Sequence, residues 1–220
     1  MDYNSTKRSD GVDSWETMML LYNSALKEVG TKLEILNDEF QHIHQYNPIE
    51  HIKSRIKSPE SIVKKLKKRG LDSTIENMTE FVNDIAGIRV ICSFTSDIYR
   101  IAEMIRNQND IKVISVKDYI ISPKESGYKS YHMIVSLPIY LSDSVVDTKV
   151  EIQIRTVAMD FWASLEHKMN YKLDKNAPDK IRHELYECAQ MVSLLDDKML
   201  RLNEEIQEEV ERQFKAKAAD

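Results

Sequence analysis

The chain lacks the short glycine motifs of the commonest nucleotide folds. It has no Gly-x-x-x-x-Gly-Lys loop and no Gly-x-Gly-x-x-Gly, which excludes a P-loop or a Rossmann reading. In 220 residues there are only 5 glycines, 5 prolines and 2 cysteines. Cys92 lies inside an apolar run and Cys188 in a helical pattern; they have neither metal-ligand spacing nor the count of a disulfide framework, and both are expected to be buried thiols. No apolar run approaches the ~20 residues that cross a bilayer, and residues 1–13 are polar without the apolar core of a signal peptide. A soluble, cytoplasmic protein with no membrane partner is expected. Excess basic charge is missing too: 31 Lys+Arg against 36 Asp+Glu give a net charge of −5, which argues against a general nucleic-acid binder. There is no internal repeat and no low-complexity tract.

What remains is an ordinary globular composition, 42% hydrophobic and 30% charged, enough for one core with extra helices. Residues 1–46 hold a polar tail and an apolar seam, Trp15, Met19, Tyr22, Leu26, Val29, Leu33, Leu36, Phe40 and Ile43, in alternating steps of four and three. Residues 173–220 repeat it with Ile181, Leu185, Cys188, Val192, Leu195, Met199, Leu202 and Ile206. Each stripe needs a cover: the other helix, the central domain or another subunit.

Between them, residues 47–172 alternate strands and helices. Ser58 and Pro59 read as N-cap and first residue of a helix that Gly70 ends. After a polar linker and Asn83-Asp84, the run from Ile85 to Phe94 is a buried strand. A helix from about Asp97 to Asn107 follows, then strands near Lys112 to Ile121, Tyr131 to Leu137 and Thr148 to Arg155, and a helix carrying Phe161, Trp162, Leu165 and Met169. The last strand alternates strictly: Val150, Ile152 and Ile154 face one way, Lys149, Glu151, Gln153 and Arg155 the other. A row of cation, carboxylate, amide and guanidinium beside a Pro/Gly loop rich in Lys and Tyr suggests a nucleotide site.

Asp84, at the mouth of the buried strand, and Glu151 could hold Mg²⁺, which takes one or two carboxylates plus substrate phosphates; alone, each could equally be a cap or a salt-bridge partner. A polyphosphate beside two carboxylates needs several cations, since close unit charges interact by about 4 kcal/mol at an effective dielectric near 20. Arg55, Lys57, Lys117, Lys124, Lys129 and Arg155 are available. Ser61 sits in the first turn of the Ser58-capped helix, where phosphate is favoured. Arg55 and Arg89 could instead stack on a base. Tyr128, after Gly127, offers a ring for a purine or is a plain hairpin tyrosine, and His132 could be a hydrogen-bonding residue. The run of lysines from Lys64 to Arg69 could be a solvated helix face.

Taken together, Asn47-Pro48-Ile49-Glu50, the segment Arg55 to Ile62, Asp84-Ile85-Ala86-Gly87-Ile88-Arg89, Lys117-Asp118-Tyr119-Ile120, Lys124 to His132, and Glu151 to Thr156 running into Phe161-Trp162-Ala163 and Glu166-His167 resemble the synthetase domain of the RelA/SpoT family, in particular its small alarmone synthetases of the RelQ type. The resemblance spans roughly Pro48 to Lys172. It implies an α/β (α+β) fold of the nucleotidyltransferase kind, a mixed sheet flanked by helices. It also implies transfer of the β,γ-pyrophosphate of ATP to the 3′-oxygen of GMP, GDP or GTP, releasing AMP. In family terms Arg55 and Arg89 would sandwich adenine, and Lys57 and Ser61 would hold the ATP phosphates. Asp84 and Glu151 would bind Mg²⁺, with Glu151 also taking the 3′-hydroxyl proton. Tyr128 would stack on guanine, with Lys117, Lys124 and Lys129 near its 5′-phosphates and Gln153 and His132 supporting the acceptor. The implied assembly is a homotetramer built through the C-terminal helix. No room remains for a hydrolase domain, so only synthesis is expected.

One group of residues departs from the pattern. Where product-activated members carry lysines, a phenylalanine and an asparagine, this chain has Gly30, Glu34, His51 and Asp160, and product activation is not expected. The competing reading is a catalytically silent nucleotide- or RNA-sensing subunit on the same fold; a degenerate copy should lose Asp84 or Glu151, and both are present.

Overall fold

In the computed structural model, which describes residues 14–172 and 177–217, the alternation of the strands builds the architecture. Five strands, β1 (Ile49–Ile56), β2 (Ala86–Cys92), β3 (Lys112–Asp118), β4 (Tyr131–Tyr140) and β5 (Val145–Thr156), form one sheet in the order β1-β2-β5-β4-β3. β2 and β5 run parallel, and the other neighbours are antiparallel. The sheet is therefore mixed, as the resemblance implied. Ile88, Val90, Met133, Val135, Val150, Ile152 and Ile154 are at most 1% exposed, and each such side chain contributes about 1.5–3 kcal/mol by leaving water.

The helices are α1 (Trp15–His44), α2 (Pro59–Lys67), α3 (Ile75–Phe81), α4 (Thr95–Arg106), α5 (Val157–Lys172) and α6 (Asp179–Lys217). α1 is capped by Ser14, whose hydroxyl accepts from the Thr17 amide, and closed by Gln45 in the left-handed region. Its stripe is not a free seam: Met18, Leu21, Tyr22, Ala25, Leu26, Val29 and Leu33 share one core with the sheet and α4. Met18, Leu21 and Ala25, outside the heptad positions, widen the stripe into a face that a flat sheet can cover.

α6 behaves differently. It meets the body along Leu185, Ala189, Val192, Ser193 and Asp196, where Leu185 accepts from the Trp162 indole and Ala189 joins a small cluster with Trp162 and Ala163. Most of its seam stays outside, with Leu195 59%, Met199 50% and Ile206 59% exposed. Cys188 lies off the contacting stripe and is exposed, correcting the expectation of a buried thiol; Cys92 is buried.

Two further elements differ from the sequence reading. Ile49–Ile56 is an edge strand, fastened at its start by the Asn37 side chain, which accepts from the Ile49 amide. Its charges hid it, because only Ile49 among its residues is buried. The polar linker contains α3, capped by Thr74 and holding Met78 in the core. No described helix is long and apolar enough to cross a membrane.

Candidate active site

The polar face of the sheet is organised in rows by strand register. Lys53 on β1 lies opposite Arg89 on β2, Arg89 beside Gln153 on β5, Gln153 opposite His132 on β4, and His132 opposite Lys117 on β3. The adjacent row runs Arg55, Gly87, Glu151, Ile134, Ser115 by the same pairings. Gly87 leaves the space over which Arg55 lies; a Cβ there would be 3.9 Å from Arg55 Cγ. Two depressions of about 300 and 530 Å³ adjoin on this face and share Arg55, Arg89 and Gln153. The smaller adds Asp84 and Glu151. The larger adds Lys124, Tyr128, His132 and, from α5, Ser164 and His167.

Asp84 stands two residues before β2. Its two carboxylate oxygens accept from Lys57 Nζ at 2.8 Å and Lys65 Nζ at 2.7 Å. Lys57 is placed there by its backbone amide, which donates to the Ile85 carbonyl. Lys65 is one turn beyond Ser61 on α2, and Ser61 accepts from the capping Ser58 hydroxyl at the helix start. Behind Asp84, Lys149 Nζ donates to the Thr79 and Glu80 carbonyls and to Asn83 Oδ1, tying the end of α3 to β5. Burial pushes the Asp84 carboxyl up, and the two ammonium groups outweigh it and hold it below its ordinary value. Burial acts likewise on Glu151, where His132 and the Gln153 amide outweigh it and the Asp84 charge. Both carboxylates are thus ionised at neutral pH.

The loop between β3 and β4 is closed by Tyr119 N–H to the Ser130 carbonyl and Gly127 N–H to the Lys124 carbonyl. Gly127 takes a φ of +83°, open to glycine at little cost. Lys124 Nζ sits 4.6 Å from the Tyr128 ring centre and 4.9 Å from that of Tyr119. The Tyr128 hydroxyl lies 2.6 Å from Arg155 Nη2 and 2.9 Å from His132 Nε2.

The structure therefore brings together Arg55, Arg89, Asp84, Glu151, Gln153, Lys124, Tyr128 and His132, with Lys57 and Ser61 at the Asp84 end. Lys117 shares their sheet face at the outer strand. Lys129 is not brought there: it points behind the loop, donates to Ser193 on α6 and lines a separate small cavity with Trp162, Ala189 and Asp196. Neighbouring residues on an extended segment face opposite sides, and Tyr128 has the cleft side. Arg155, considered as a phosphate cation, is 5% exposed and engaged by Ser130, Asp160, Tyr128 and Gln153. Sequence reasoning missed the role of Lys65, although its spacing of four from Ser61 was the available signal. Alternation put Lys149 on the polar face of the strand, but its tie to the end of α3 has no local signal. Asp160 pairs with both Arg89 at 3.2 Å and Arg155 at 3.0 Å.

Among the described residues, no group of three or more His, Cys, Asp or Glu could hold a metal ion. The donor set fits a hard cation that needs only two carboxylates and takes its other oxygens from water and phosphate. On this mixed sheet two ionised carboxylates lie between the Lys124–Tyr128 loop and the capped helix α2, the arrangement of a polar cleft suited to a phosphate-bearing ligand.

Residues 54–176 match the model of the region found in RelA/SpoT proteins, and the chain belongs to that family. It is 46% identical over 209 residues to GTP pyrophosphokinase YwaC of Bacillus subtilis, covering 94% of this chain and all of that one. Small alarmone synthetase 2 of Bacillus subtilis superimposes with a TM-score of 0.80 at 46% identity, over 87% of this chain and 98% of that one. Small alarmone synthetase 1 from the same organism, bound to its product pppGpp, also gives 0.80 at 36% identity, over 88% and 98%.

Proposed function

We propose that the protein is a small alarmone synthetase that transfers the β,γ-pyrophosphate of ATP to the 3′-oxygen of a guanosine nucleotide. The observation carrying this reading is the position of Glu151. It shares one depression with Asp84, accepts from Gln153 Nε2 at 2.9 Å and lies 3.5 Å from His132 Nδ1, which supports reading it as the base between donor and acceptor. The relatives' names, GTP pyrophosphokinase and small alarmone synthetase, support it.

Arg55 and Arg89 stack on adenine, while Lys57, Lys65 and the start of α2 at Ser61 hold the phosphates. Asp84 and Glu151 hold Mg²⁺, which supplies charge neutralisation on the phosphoryl oxygens. Tyr128 stacks on guanine, and Lys124, with Lys117 farther out, faces the 5′-phosphates. Glu151 takes the 3′-hydroxyl proton; the 3′-oxygen bonds to the β-phosphorus, the bond from that phosphorus to the α,β-bridging oxygen breaks, and AMP leaves. Positioning and fixed charge supply most of the acceleration.

The exposed seam of α6 supports assembly into a homo-oligomer, which the family resemblance makes a tetramer. Glu34 and Gly30 in place of cations, and an Asp160 already paired with two arginines, argue against activation by the product. Incubating the protein with ATP, Mg²⁺ and GMP, GDP or GTP and resolving products by anion exchange tests the reading. A 3′-pyrophosphorylated product with stoichiometric AMP is expected, and Glu151→Gln should lose at least about 10²-fold in turnover. Retention of more than a tenth of wild-type turnover by that variant contradicts the assignment.

A further inference from the structure

Five side chains in the cleft close a ring. Glu151 Oε2 accepts from Gln153 Nε2 at 2.9 Å, and Gln153 Oε1 accepts from Arg155 Nη2 at 3.1 Å. The same Nη2 donates to the Tyr128 hydroxyl at 2.6 Å; that hydroxyl meets His132 Nε2 at 2.9 Å, and His132 Nδ1 faces Glu151 Oε1 at 3.5 Å. Donor chemistry allows one continuous polarity around the ring. A guanidinium only donates, so the tyrosine oxygen accepts from Arg155 and has its own proton to give. When that proton goes to Nε2 of the neutral imidazole, the ring's N–H is on Nδ1, toward Glu151.

Arg155 is the fixed point. It is 5% exposed, with Nε donating to Ser130 and Nη1 to Asp160. A fork held on three sides has one orientation, which a point charge does not reproduce. Gln153 and His132 therefore approach Glu151 from opposite sides, one on each carboxylate oxygen, and both are oriented by Arg155, directly or through the Tyr128 hydroxyl.

We propose that the Tyr128 hydroxyl and Arg155 are positioning groups that set the His132 tautomer and hold Glu151 toward the acceptor hydroxyl, so that Tyr128 has a second task besides stacking. The inference rests on the pyrophosphoryl-transfer reading. It separates ring from hydroxyl: the aromatic face binds the acceptor base, and the oxygen orients the base catalyst.

Tyr128→Phe keeps the face and removes the oxygen. Its kcat should fall about 10- to 100-fold, as for other groups that orient a site residue, while acceptor KM stays within about threefold. Tyr128→Ala should raise acceptor KM as well. Arg155→Lys should reproduce the kcat loss, and Tyr128→Phe/Arg155→Lys should cost no more than the worse single variant, because both break one chain of contacts. A purely structural role would lower thermal stability without this kcat-against-KM split. Nitrogen-15 spectra of His132 without nucleotide or metal should show the Nδ1–H tautomer in the wild type and a mixture in Tyr128→Phe. Unchanged kcat in Tyr128→Phe, or additive losses in the double variant, overturns the proposal. Should Tyr128→Phe fail to fold, Arg155→Lys reads the same ring. If the wild type made no alarmone, the transfer reading would fall, and the His132 tautomer would decide the ring by itself.

Discussion

Gly127→Ala tests how the acceptor loop is held. Gly127 has a φ of +83°, and a Cβ there would come 2.5 Å from Ala189 Cβ and 3.4 Å from Tyr186 Cδ2, both on α6. Left-handed backbone costs a non-glycine residue roughly 1–2 kcal/mol. Carbon atoms rest about 3.5–4.0 Å apart, so the loop or the helix must give by about 1 Å, and overpacking of that size costs typically 1–3 kcal/mol. The variant should therefore lose about 2–5 kcal/mol in urea denaturation. Ala189→Gly removes the atom that is struck and costs about 1 kcal/mol as a helix glycine. In the double variant the packing share should be recovered, giving a favourable coupling of about 1–3 kcal/mol. Function should follow the same division. The displaced loop carries Lys124 and Tyr128, so acceptor KM should rise, whereas a non-hydrolysable ATP analogue, which we assign to strand residues Arg55 and Arg89, should bind as before. A loss under about 0.5 kcal/mol, or additive costs in the cycle, would refute the close packing of loop on helix.

Tyr128→Ala should weaken guanosine nucleotide binding by about 1–3 kcal/mol, the usual worth of base stacking, and Arg89→Ala should weaken ATP binding instead; isothermal titration giving equal losses for both ligands in both variants would contradict the separate subsites. Asp196, 7% exposed beneath the acceptor loop, has its carboxyl pushed up by burial, against the Thr156 hydroxyl that donates to it. A raised folded-state value favours folding below the unfolded carboxylate range and withdraws that support as pH rises through it. Asp196→Asn, which still accepts from Thr156, should therefore be the more stable protein in urea at pH 7, with an advantage that shrinks as the pH is lowered; a pH-independent difference would refute the burial penalty. Glutamates at Leu195 and Met199, exposed on the seam of α6, should reduce the mass seen by light scattering at micromolar concentration, and an unchanged mass would place the subunit contact elsewhere.

Local chemistry made much of this protein legible from its sequence. Strict alternation along residues 148–155 announced a two-faced strand, and β5 is that strand, with Val150, Ile152 and Ile154 inside and Glu151 and Gln153 in the cleft. The Ser58-Pro59 cap and the Gly70 stop likewise act within a turn, and α2 begins and ends by them. Periods and caps are properties of neighbours in the chain, so they can be read there. Tertiary structure decided the rest. β1 carries Glu50, Lys53 and Arg55 and is mostly exposed because it is an edge, and only its pairing with β2 makes it a strand. The row from Lys53 through Arg89, Gln153 and His132 to Lys117 exists only by register among five strands. Which side of the loop Lys129 takes, and that one carboxylate at Asp160 serves both Arg89 and Arg155, depend on where α5 and α6 lie against the sheet. Sequence determines which chemical groups a segment can offer and with what period; distances between groups far apart in the chain are set by packing, which no local pattern encodes.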